Sequence, residues 1–301
     1  MKLLKESKTL PVDFVDNRII VQPVTKNGET LNILTDTGGG LILSLDATQR
    51  ANLPISIEII DSKEIQAVDL PEFIESRWIP PLSGQYKKMR VFSGDFVGEA
   101  GFLQEVDGLL GQAWFGNRIW TFDYLKKEML YHELLDYTHM DQTHSVKLWF
   151  QKDDKGNQTN HFPRIQASVD GEILDFLFDT GATIRLSENG FIHLNENGGR
   201  HIGTCFITEN KFNQWKEHHP DWRIIENAEE DTDFPIIEVP EVTIAGYAVG
   251  PVWFTYRNNS SFHWYMAQMM DKEVEGALGG SLFQYFKITV DYPNGTAYFE
   301  R

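Results

Sequence analysis

The sequence predicts an all-β protein made of two related lobes, and three observations support this prediction. The chain has 301 residues, which is long for one compact domain and suits two. Short runs that alternate apolar and polar residues, separated by Gly, Asn and Pro, are typical of strands. Two blocks of sequence recur in the same order in each half, and such a repeat constrains the fold more than local propensity does. We therefore predict lobes at residues 1–140 and 146–301, joined by a polar crossing at 136–145.

The first repeated block ends each time in Asp-Thr-Gly. It covers residues 18–40 in the first half and residues 164–183 in the second. In each copy a strand-like run leads to Asn-Gly at 27–28 or Asp-Gly at 170–171, dipeptides that suit a two-residue hairpin turn because both residues can adopt positive φ. A second apolar strand then precedes the Asp-Thr-Gly. The two copies lie 143 residues apart, both at the turn and at the aspartate.

The second repeated block is DGLLGQAWFGNRIWTFDY at 107–124, which is matched by EGALGGSLFQYFKITVDY at 275–292. These copies lie 168 residues apart, 25 more than the copies of the first block. We place the additional residues near 205–235. There the sequence predicts a short helix, with Thr208 as its N-cap and Pro220 as its stop.

Each Asp-Thr-Gly puts a carboxylate where a buried strand breaks into a turn. Asp36 and Asp179 both follow an apolar strand, so each carboxyl group would be shielded from water yet reachable. The glycine allows close approach of the backbone, and the threonine hydroxyl can fix the turn by hydrogen bonding. Two such loops facing each other would bring the carboxyl groups within ~3 Å, where both cannot ionise and they hold one proton between them.

Such a pair can hydrolyse an amide without a metal or cofactor. One carboxylate would take a proton from a water molecule that attacks a carbonyl carbon, while the other carboxyl group would donate its proton to the carbonyl oxygen. The pKa values would belong to the pair, so the sequence assigns neither role to a particular aspartate.

On these motifs the chain resembles the pepsin and retropepsin aspartic peptidases. The resemblance covers both halves. Asp-Thr-Gly at 36–38 and at 179–181 stands in the catalytic positions, and Leu-Leu-Gly at 109–111 and Ala-Leu-Gly at 277–279 match the hydrophobic-hydrophobic-Gly motif later in each lobe. The resemblance implies a bilobal pepsin-like fold, with two related closed β-barrel lobes and a substrate cleft between them.

The resemblance also implies a set of site residues. The short hairpin before each motif is more like a retropepsin lobe, whereas the joining of both lobes in one chain is pepsin-like, so the chain looks like a single-chain tandem of retropepsin-like lobes. A β-hairpin flap over the bound peptide is expected at residues 77–92, around Ser83-Gly84, with Trp78 or Tyr86 as the aromatic that closes on substrate. Apolar side chains are expected on both sides of the cut bond. The implied site consists of the catalytic pair Asp36 and Asp179 and the scaffold residues Thr37, Gly38, Thr180 and Gly181.

The residue after each motif departs from the family pattern. Pepsins often carry Ser or Thr there, whose hydroxyl can support the ionised pair, but this chain has Gly39 and Ala182. Loss of a hydrogen bond to the charged form should raise the pKa of the pair. We therefore predict activity displaced from strongly acid pH towards neutrality.

One alternative function stays open, a catalytically silent peptide-binding protein on the same scaffold, because fold alone does not decide function. Other sites have weaker support. The nine histidines show no zinc spacing, and the segment 153–157 begins like a calcium loop but has Arg164 in place of the twelfth-position Glu. Glycosidases also use two carboxylates, but that chemistry has no need of matched Asp-Thr-Gly turns. No metal or cofactor is expected.

Charge, cysteine content and the N-terminal sequence indicate which partners the protein can bind and in which compartment it works. The chain has 27 Lys and Arg against 44 Asp and Glu, a formal net charge of −17, which repels nucleic acids and anionic membranes. The single cysteine, Cys205, is expected to be a small buried hydrophobe and cannot form an intramolecular disulfide. The N-terminus as written lacks the apolar core of a signal peptide. We expect a cytoplasmic monomer that acts on peptide or protein substrates, or a periplasmic or secreted one if a signal peptide has been removed.

Overall fold

The computed structural model describes residues 7–60, 62–82, 87–92, 105–194 and 197–301. The elements up to residue 147 are, in chain order, β1 (Ser7–Thr9), β2 (Val12–Val15), β3 (Arg18–Val21), β4 (Ile33–Thr35), β5 (Ile42–Ser44), α1 (Leu45–Arg50), β6 (Ser56–Ile60), β7 (Lys63–Asp69), a 3₁₀ turn (Glu75–Arg77), β8 (Lys88–Phe92), β9 (Gly108–Leu110), α2 (Gln112–Phe115), β10 (Ile119–Asp123), β11 (Glu128–His132), two 3₁₀ turns (Tyr137–His139 and Gln142–His144) and β12 (Ser145–Lys147).

The second half contains sixteen further strands and α-helices, with two short helical turns between β22 and β23. They are β13 (Arg164–Val169), β14 (Glu172–Phe178), β15 (Thr183–Arg185), α3 (Glu188–Leu194), β16 (His201–Gly203), β17 (Cys205–Thr208), α4 (Glu209–His218), β18 (Ile224–Ile225), β19 (Ile236–Val239), β20 (Val242–Ile244), β21 (Tyr247–Val249), β22 (Val252–Arg257), a π-helical turn (Ser261–Tyr265), a 3₁₀ turn (Met266–Gln268), β23 (Gly276–Leu278), α5 (Gly280–Phe283), β24 (Lys287–Asp291) and β25 (Thr296–Glu300). In the described part of the chain, no helix has the length and apolar character needed to cross a bilayer.

Each half has its own sheet, and a third sheet joins them. The sheet of the first half has the strand order β2-β3-β4-β9-β5-β8-β7-β6, and that of the second half has the order β18-β19-β22-β17-β23-β14-β13-β20-β21. The third sheet, β1-β11-β10-β24-β25-β12, takes strands from both halves. At its centre β10 and β24 pair antiparallel, with Ile119 opposite Asp291. These two strands come from the two copies of the second sequence block, so the two copies pair with each other in this sheet.

The sheets of the two halves are open, which corrects the closed barrels that the resemblance implied. Among the described strands, β2 and β6 are the two ends of the first sheet, and β18 and β21 are the two ends of the second. Closure of a barrel requires the two end strands to pair along their length. In the second half they have only two and three residues, which is too short for such pairing. In the first half β6 turns its apolar side chains out to solvent.

The repeated hairpin is regular in the second half and loose in the first. β13 and β14 pair along their length around Asp170-Gly171, whose φ angles of 52° and 75° are those that a type I′ turn needs. β3 and β4 pair over only two residues, and the predicted turn at Asn27-Gly28 forms further along their connection, where Gly28 N donates to Thr25 O at 2.9 Å. In the first half, a two-residue turn with positive φ at both residues is found at Asp16-Asn17, between β2 and β3, with φ angles of 49° and 64°.

Helix α4 confirms the helix that the sequence predicts. It begins after Thr208 as N-cap and ends at His218, two residues before Pro220. The Thr208 hydroxyl makes no bond to the helix, because it donates to Oε2 of Glu275 at 2.7 Å. The helix buries Phe212 and Trp215.

The core runs through both halves and is rich in aromatic side chains. Phe178, at the end of β14, stacks on Phe283 with ring centroids 4.4 Å apart, and its ring lies 6.1 Å from that of Phe122 in β10. Trp114 of α2 is fully buried, and its indole N–H donates to the carbonyl of Pro80 at 2.8 Å. Aromatic packing of this kind fixes the strand ends of both halves against the shared sheet.

Candidate active site

Asp36 and Asp179 lie at corresponding positions in the two halves. β4 and β14 end one residue before them, so each aspartate follows a buried strand. Each is held by the neighbouring parallel strand: Asp36 N donates to Leu110 O of β9, and Asp179 N donates to Leu278 O of β23, both at 2.9 Å. The hydrophobic-hydrophobic-Gly motif of each half therefore fixes the backbone of the aspartate in that half.

The two loops are joined by hydrogen bonds that cross between the halves. Thr180 N donates to Oγ1 of Thr37 at 3.0 Å, and Thr37 N donates to Oγ1 of Thr180 at 3.2 Å. The Thr37 hydroxyl in turn donates to Phe178 O at 2.7 Å. Both threonines are buried, where an unpaired polar group is costly. These reciprocal bonds hold one loop against the other.

The side chains of Asp36 and Asp179 hydrogen-bond to each other between the loops. Each carboxylate also accepts a bond from the glycine two residues on: Gly38 N donates to Asp36 at 3.1 Å, and Gly181 N donates to Asp179 at 2.9 Å. A Cβ on Gly38 would lie 2.6 Å from the carboxyl carbon of Asp179. A Cβ on Gly181 would clash with the carboxyl group of Asp36. Both positions therefore require glycine for space, since each lies against the carboxylate of the other half.

Burial and mutual repulsion set the protonation of the pair. Each aspartate is 8% exposed, and burial raises the pKa of both. The charge of Asp179 adds to burial and raises the pKa of Asp36 well above its usual value. At Asp179, bonds from the Asp36 side chain and from the N–H groups of Gly181, Gly38 and Ala182 oppose the rise in pKa that burial causes. Two carboxyl groups in contact hold one proton between them, and their pKa values belong to the pair.

Two residues that the sequence analysis did not assign to the site support the loop of Asp179. Thr204 N donates to Ala182 O at 2.9 Å, and Gly279 N donates to Sγ of Cys205 at 3.3 Å. Cys205 is fully buried, as predicted, and burial raises the pKa of its thiol to about 12. No sequence pattern marks this contact, because the cysteine and the glycine lie 74 residues apart.

Of the two predicted flap aromatics, Trp78 lies within the described residues. Tyr86 and the turn at Ser83-Gly84 lie outside the described residues. The ring of Trp78 is partly buried, 6.2 Å from the ring of Tyr131 in β11, and the Lys8 ammonium lies 4.8 Å from its centroid. Trp78 therefore packs against the shared sheet, where its apolar surface is covered.

A different hairpin of the first half is exposed. It consists of β6 and β7, and β6 is the end strand of the sheet that carries Asp36. Along one face Ile55, Ile57 and Ile59 are 41%, 58% and 76% exposed. Proteins usually protect an edge strand with charged or inward-pointing residues. Three isoleucine side chains therefore leave apolar surface open to solvent at this edge of the sheet.

One group of possible metal ligands lies outside this site. Among the described residues, His263, Glu273 and Glu275 bring one ligand atom each within 4.8 Å of one another. His263 Nε2 lies 3.0 Å from Glu275 and 3.8 Å from Glu273, and the Thr208 hydroxyl donates to the same oxygen of Glu275. Hydrogen bonding and ion pairing account for this arrangement, so it does not require a metal.

Comparison with solved structures finds the same architecture in a fungal enzyme. The aspartic proteinase from Irpex lacteus matches with a TM-score of 0.50 and 11% sequence identity, over 98% of this chain and 97% of that chain. No profile of a known protein family matches the sequence, and no curated protein matches it. At 11% identity the likeness is one of fold alone, so the chemistry has to be argued from the site.

Proposed function

We propose that the protein is an aspartic endopeptidase that hydrolyses peptide bonds with a water molecule activated between Asp36 and Asp179. The observation that carries this proposal is the buried pair of carboxyl groups, one from each half, that hydrogen-bond to each other and whose pKa burial raises. Two carboxyl groups that share one proton can serve as acid and base at the same pH. The fold likeness to an aspartic proteinase agrees with the proposal.

We assign the two roles from the backbone around the pair: three N–H groups stabilise the charge of Asp179 and one stabilises that of Asp36, so Asp179 is the base and Asp36 is the acid. Ionised Asp179 takes a proton from water as the water oxygen attacks the carbonyl carbon, and Asp36 gives its proton to the carbonyl oxygen. The resulting neutral diol breaks down when Asp179 returns a proton to the amide nitrogen and the C–N bond cleaves. Asp36 recovers its proton from a hydroxyl of the diol, so an acid and an amine leave and the pair again holds one proton.

We propose the hairpin β6–β7 as a second candidate for the flap of this peptidase, beside residues 77–92. The hairpin ends the sheet that carries Asp36, and the exposed side chains of Ile57 and Ile59 offer apolar surface to a bound peptide. Complete burial of one isoleucine side chain contributes about 1.5–3 kcal/mol. Such contacts would favour substrates with apolar side chains near the cut bond.

All residues of the proposed site belong to one chain. We therefore propose that a monomer is active and that its partners are peptide or protein substrates. A catalytically silent protein on this scaffold would bind the same peptides without cutting them, and turnover separates the two functions.

Cleavage of a mixed peptide library, read by mass spectrometry, tests the proposal. Asp36→Asn and Asp179→Asn each remove one acid–base group, and we expect each to lower kcat/KM by about 10²–10⁴-fold or more. Asp154→Asn changes an exposed carboxylate and is the matched control that should leave turnover unaltered. Binding without turnover by the wild type, at every pH from about 3 to about 8, would replace the proposal with the silent binding protein.

A further inference from the structure

Three charged or titratable side chains from the two halves meet near the catalytic loops. They are Arg18 at the start of β3, Glu105 ahead of β9, and His201 at the start of β16, and we call them the interhalf cluster. Oε2 of Glu105 lies 2.7 Å from Nδ1 of His201 and 3.7 Å from Nη2 of Arg18. Arg18 and His201 are 3% and 2% exposed, whereas the Glu105 side chain is 48% exposed. Two buried basic side chains, Arg18 of the first half and His201 of the second, therefore share the accessible carboxylate of Glu105.

The backbone beside the cluster also crosses between the halves. Gly203 N donates to Asp16 O at 2.7 Å, which joins β16 to the β2–β3 turn. The carbonyl of Asn17 lies so close to Gly203 and Gly280 that a Cβ on either glycine would clash with it. The β2–β3 turn of the first half is therefore seated directly on the second half, next to the start of α5.

A short path leads from the cluster to the catalytic loop of the second half. His201 begins β16, and three residues later Thr204 N donates to Ala182 O at 2.9 Å. Ala182 N in turn donates to Asp179 O at 3.3 Å. A displacement of β16 relative to the first half would therefore displace the backbone that holds Asp179.

The buried bases of the cluster have few partners. In the described part of the chain, Nε and Nη1 of Arg18 and Nε2 of His201 have no hydrogen-bond partner. Buried charged groups normally need both a counter-charge and hydrogen bonds. The cluster therefore depends on Glu105, and it has little capacity for a second positive charge.

The groups that face His201 determine what protonation does. They are Glu105, Arg18 and, on the paired strand β15, Arg185, while Asp16 faces Arg18. Burial lowers the pKa of His201, and the charges of Arg18 and Arg185 lower it further, against the opposing effect of Glu105. At neutral pH His201 is uncharged and Glu105 balances Arg18. As the pH falls, protonation of His201 forms a second buried cation beside Arg18.

We propose that His201 is a positioning residue for the reaction: uncharged, it holds the loop of Asp179 in register with the first half, and protonated, it loosens the contact between the halves and stops turnover. The proposal rests on the proposed function, because one of its tests measures activity. It implies that His201, and not the aspartates alone, causes the loss of activity at acid pH. A base with a lower pKa in the folded than in the unfolded state binds fewer protons when folded. Stability from the cluster is therefore present above about pH 6.5, the usual pKa of histidine, and is lost as the pH falls below it.

The pH dependence of kcat/KM for three variants tests the proposal. His201→Gln removes the titrating group, so we expect the acid limb to move to lower pH by about one unit, with activity at neutral pH retained. Glu105→Gln removes the counter-charge, so its acid limb should move in the opposite direction, to higher pH. His218→Gln, which replaces an exposed histidine outside the cluster, is the control and should leave the profile in place.

Thermal unfolding between about pH 7 and about pH 5 supplies a second readout that needs no turnover. The wild type should lose more of its Tm over this interval than His201→Gln does. Superimposable profiles of the wild type and His201→Gln, in both activity and unfolding, would overturn the proposal. If the wild type cleaves no peptide at any pH, the proposed function fails, while the difference in unfolding still decides the role of the cluster. If His201→Gln does not fold, the direction of the shift in Glu105→Gln decides it.

Discussion

The loop of Asp36 and the loop of Asp179 copy each other in their main hydrogen bonds, yet their surroundings differ. Each aspartate accepts a bond from the glycine two residues on and is tied at its N–H to a parallel strand. Three backbone N–H groups stabilise the charge of Asp179, and one stabilises that of Asp36. The symmetry of the repeat brings the two carboxyl groups into contact, and the asymmetry of their surroundings is the basis on which we propose that Asp36 keeps the proton.

The outer parts of the two halves differ more strongly. The first half ends its sheet in the exposed hairpin β6–β7, whose Ile59 is 76% exposed. The second half carries additional residues in its corresponding region, where α4 packs with Phe212 and Trp215 buried. The first half therefore exposes an apolar hairpin at the end of its sheet, whereas the second half packs a helix in its additional segment. We infer that the residues around Asp36 and Asp179 stayed alike after duplication, while the elements far from them came to differ between the two halves.

The largest effect is expected from the glycines that lie against the opposite carboxylate. Gly38→Ala and Gly181→Ala each push a methyl group into the aspartate of the other half. A displacement of about 1 Å at the reacting groups can cost about 100-fold, so we expect kcat/KM to fall by at least that much in both variants. Gly40→Ala is the matched control, since a Cβ there has nothing within 4 Å. Steady-state cleavage measures all three, and full activity in either of the first two would show that the loops do not oppose each other as described.

Replacement of the two cross-loop threonines, Thr37 and Thr180, should lower the stability of the protein by different amounts. The Thr37 hydroxyl accepts from Thr180 N and donates to Phe178 O, whereas the Thr180 hydroxyl accepts from Thr37 N. We expect Thr37→Val to lower the free energy of unfolding by about 1–3 kcal/mol, and by more than Thr180→Val does. Chemical denaturation measures both. Thr37→Ser keeps the hydroxyl and should be nearly neutral, so a loss in Thr37→Ser equal to that in Thr37→Val would argue against these bonds.

A pair of exposed isoleucines tests the assignment of the flap. Ile59 on β6 and Ile173 on β14 are 76% and 70% exposed, so replacement of either by serine removes similar surface from solvent-facing positions. If β6–β7 covers the substrate, Ile59→Ser should raise KM by about 10-fold, which corresponds to about 1.4 kcal/mol of lost apolar contact. Ile173→Ser should leave KM unchanged. Equal KM values in the two variants would remove the hairpin from the site.

The smallest effect is a gain in stability at neutral pH. Asp36 keeps its proton to higher pH in the folded chain than in the unfolded chain, so the folded state binds more protons above about pH 4, and stability falls as the pH rises through that range. Asp36→Asn removes this loss and should raise Tm at pH 7 by about 2–4 °C, with the gain disappearing near pH 3. Asp179→Asn should give a smaller gain, because more N–H groups stabilise its charge. Thermal scans at the two pH values measure this, and a lower Tm for Asp36→Asn at pH 7 would contradict the assigned protonation.

The features that could be predicted from the sequence are local ones. Asp36 and Asp179 stand in short motifs in which the strand, the turn and the following glycine lie within a few residues, and the repeat supplies a second copy of each. Helix α4 could be predicted because its N-cap and the proline beyond its end lie in one segment. The Asp-Gly turn at 170–171 formed as expected, since positive φ at both residues is a property of the dipeptide itself.

The features that could not be predicted depend on residues far apart in the chain. Trp78 packs against Tyr131 of β11, and no local pattern around Trp78 predicts this contact. Whether a sheet closes depends on its two end strands, which lie far apart in sequence. The contact of Arg18 and Glu105 with His201 joins the two halves, and nothing near any of these residues marks it.

The most direct test of the central claim is the pH dependence of kcat/KM for the wild type, from about pH 3 to about pH 9. If Asp179 must be ionised and Asp36 must be protonated, the profile is bell-shaped, and activity is lost as the pH rises through the raised pKa of Asp36. The absence of a hydroxyl at Gly39 and Ala182 further predicts a maximum nearer neutrality than pH 3. A profile that stays on a plateau to pH 9 would contradict the account, because a mechanism that needs the proton on Asp36 cannot run after that proton is gone.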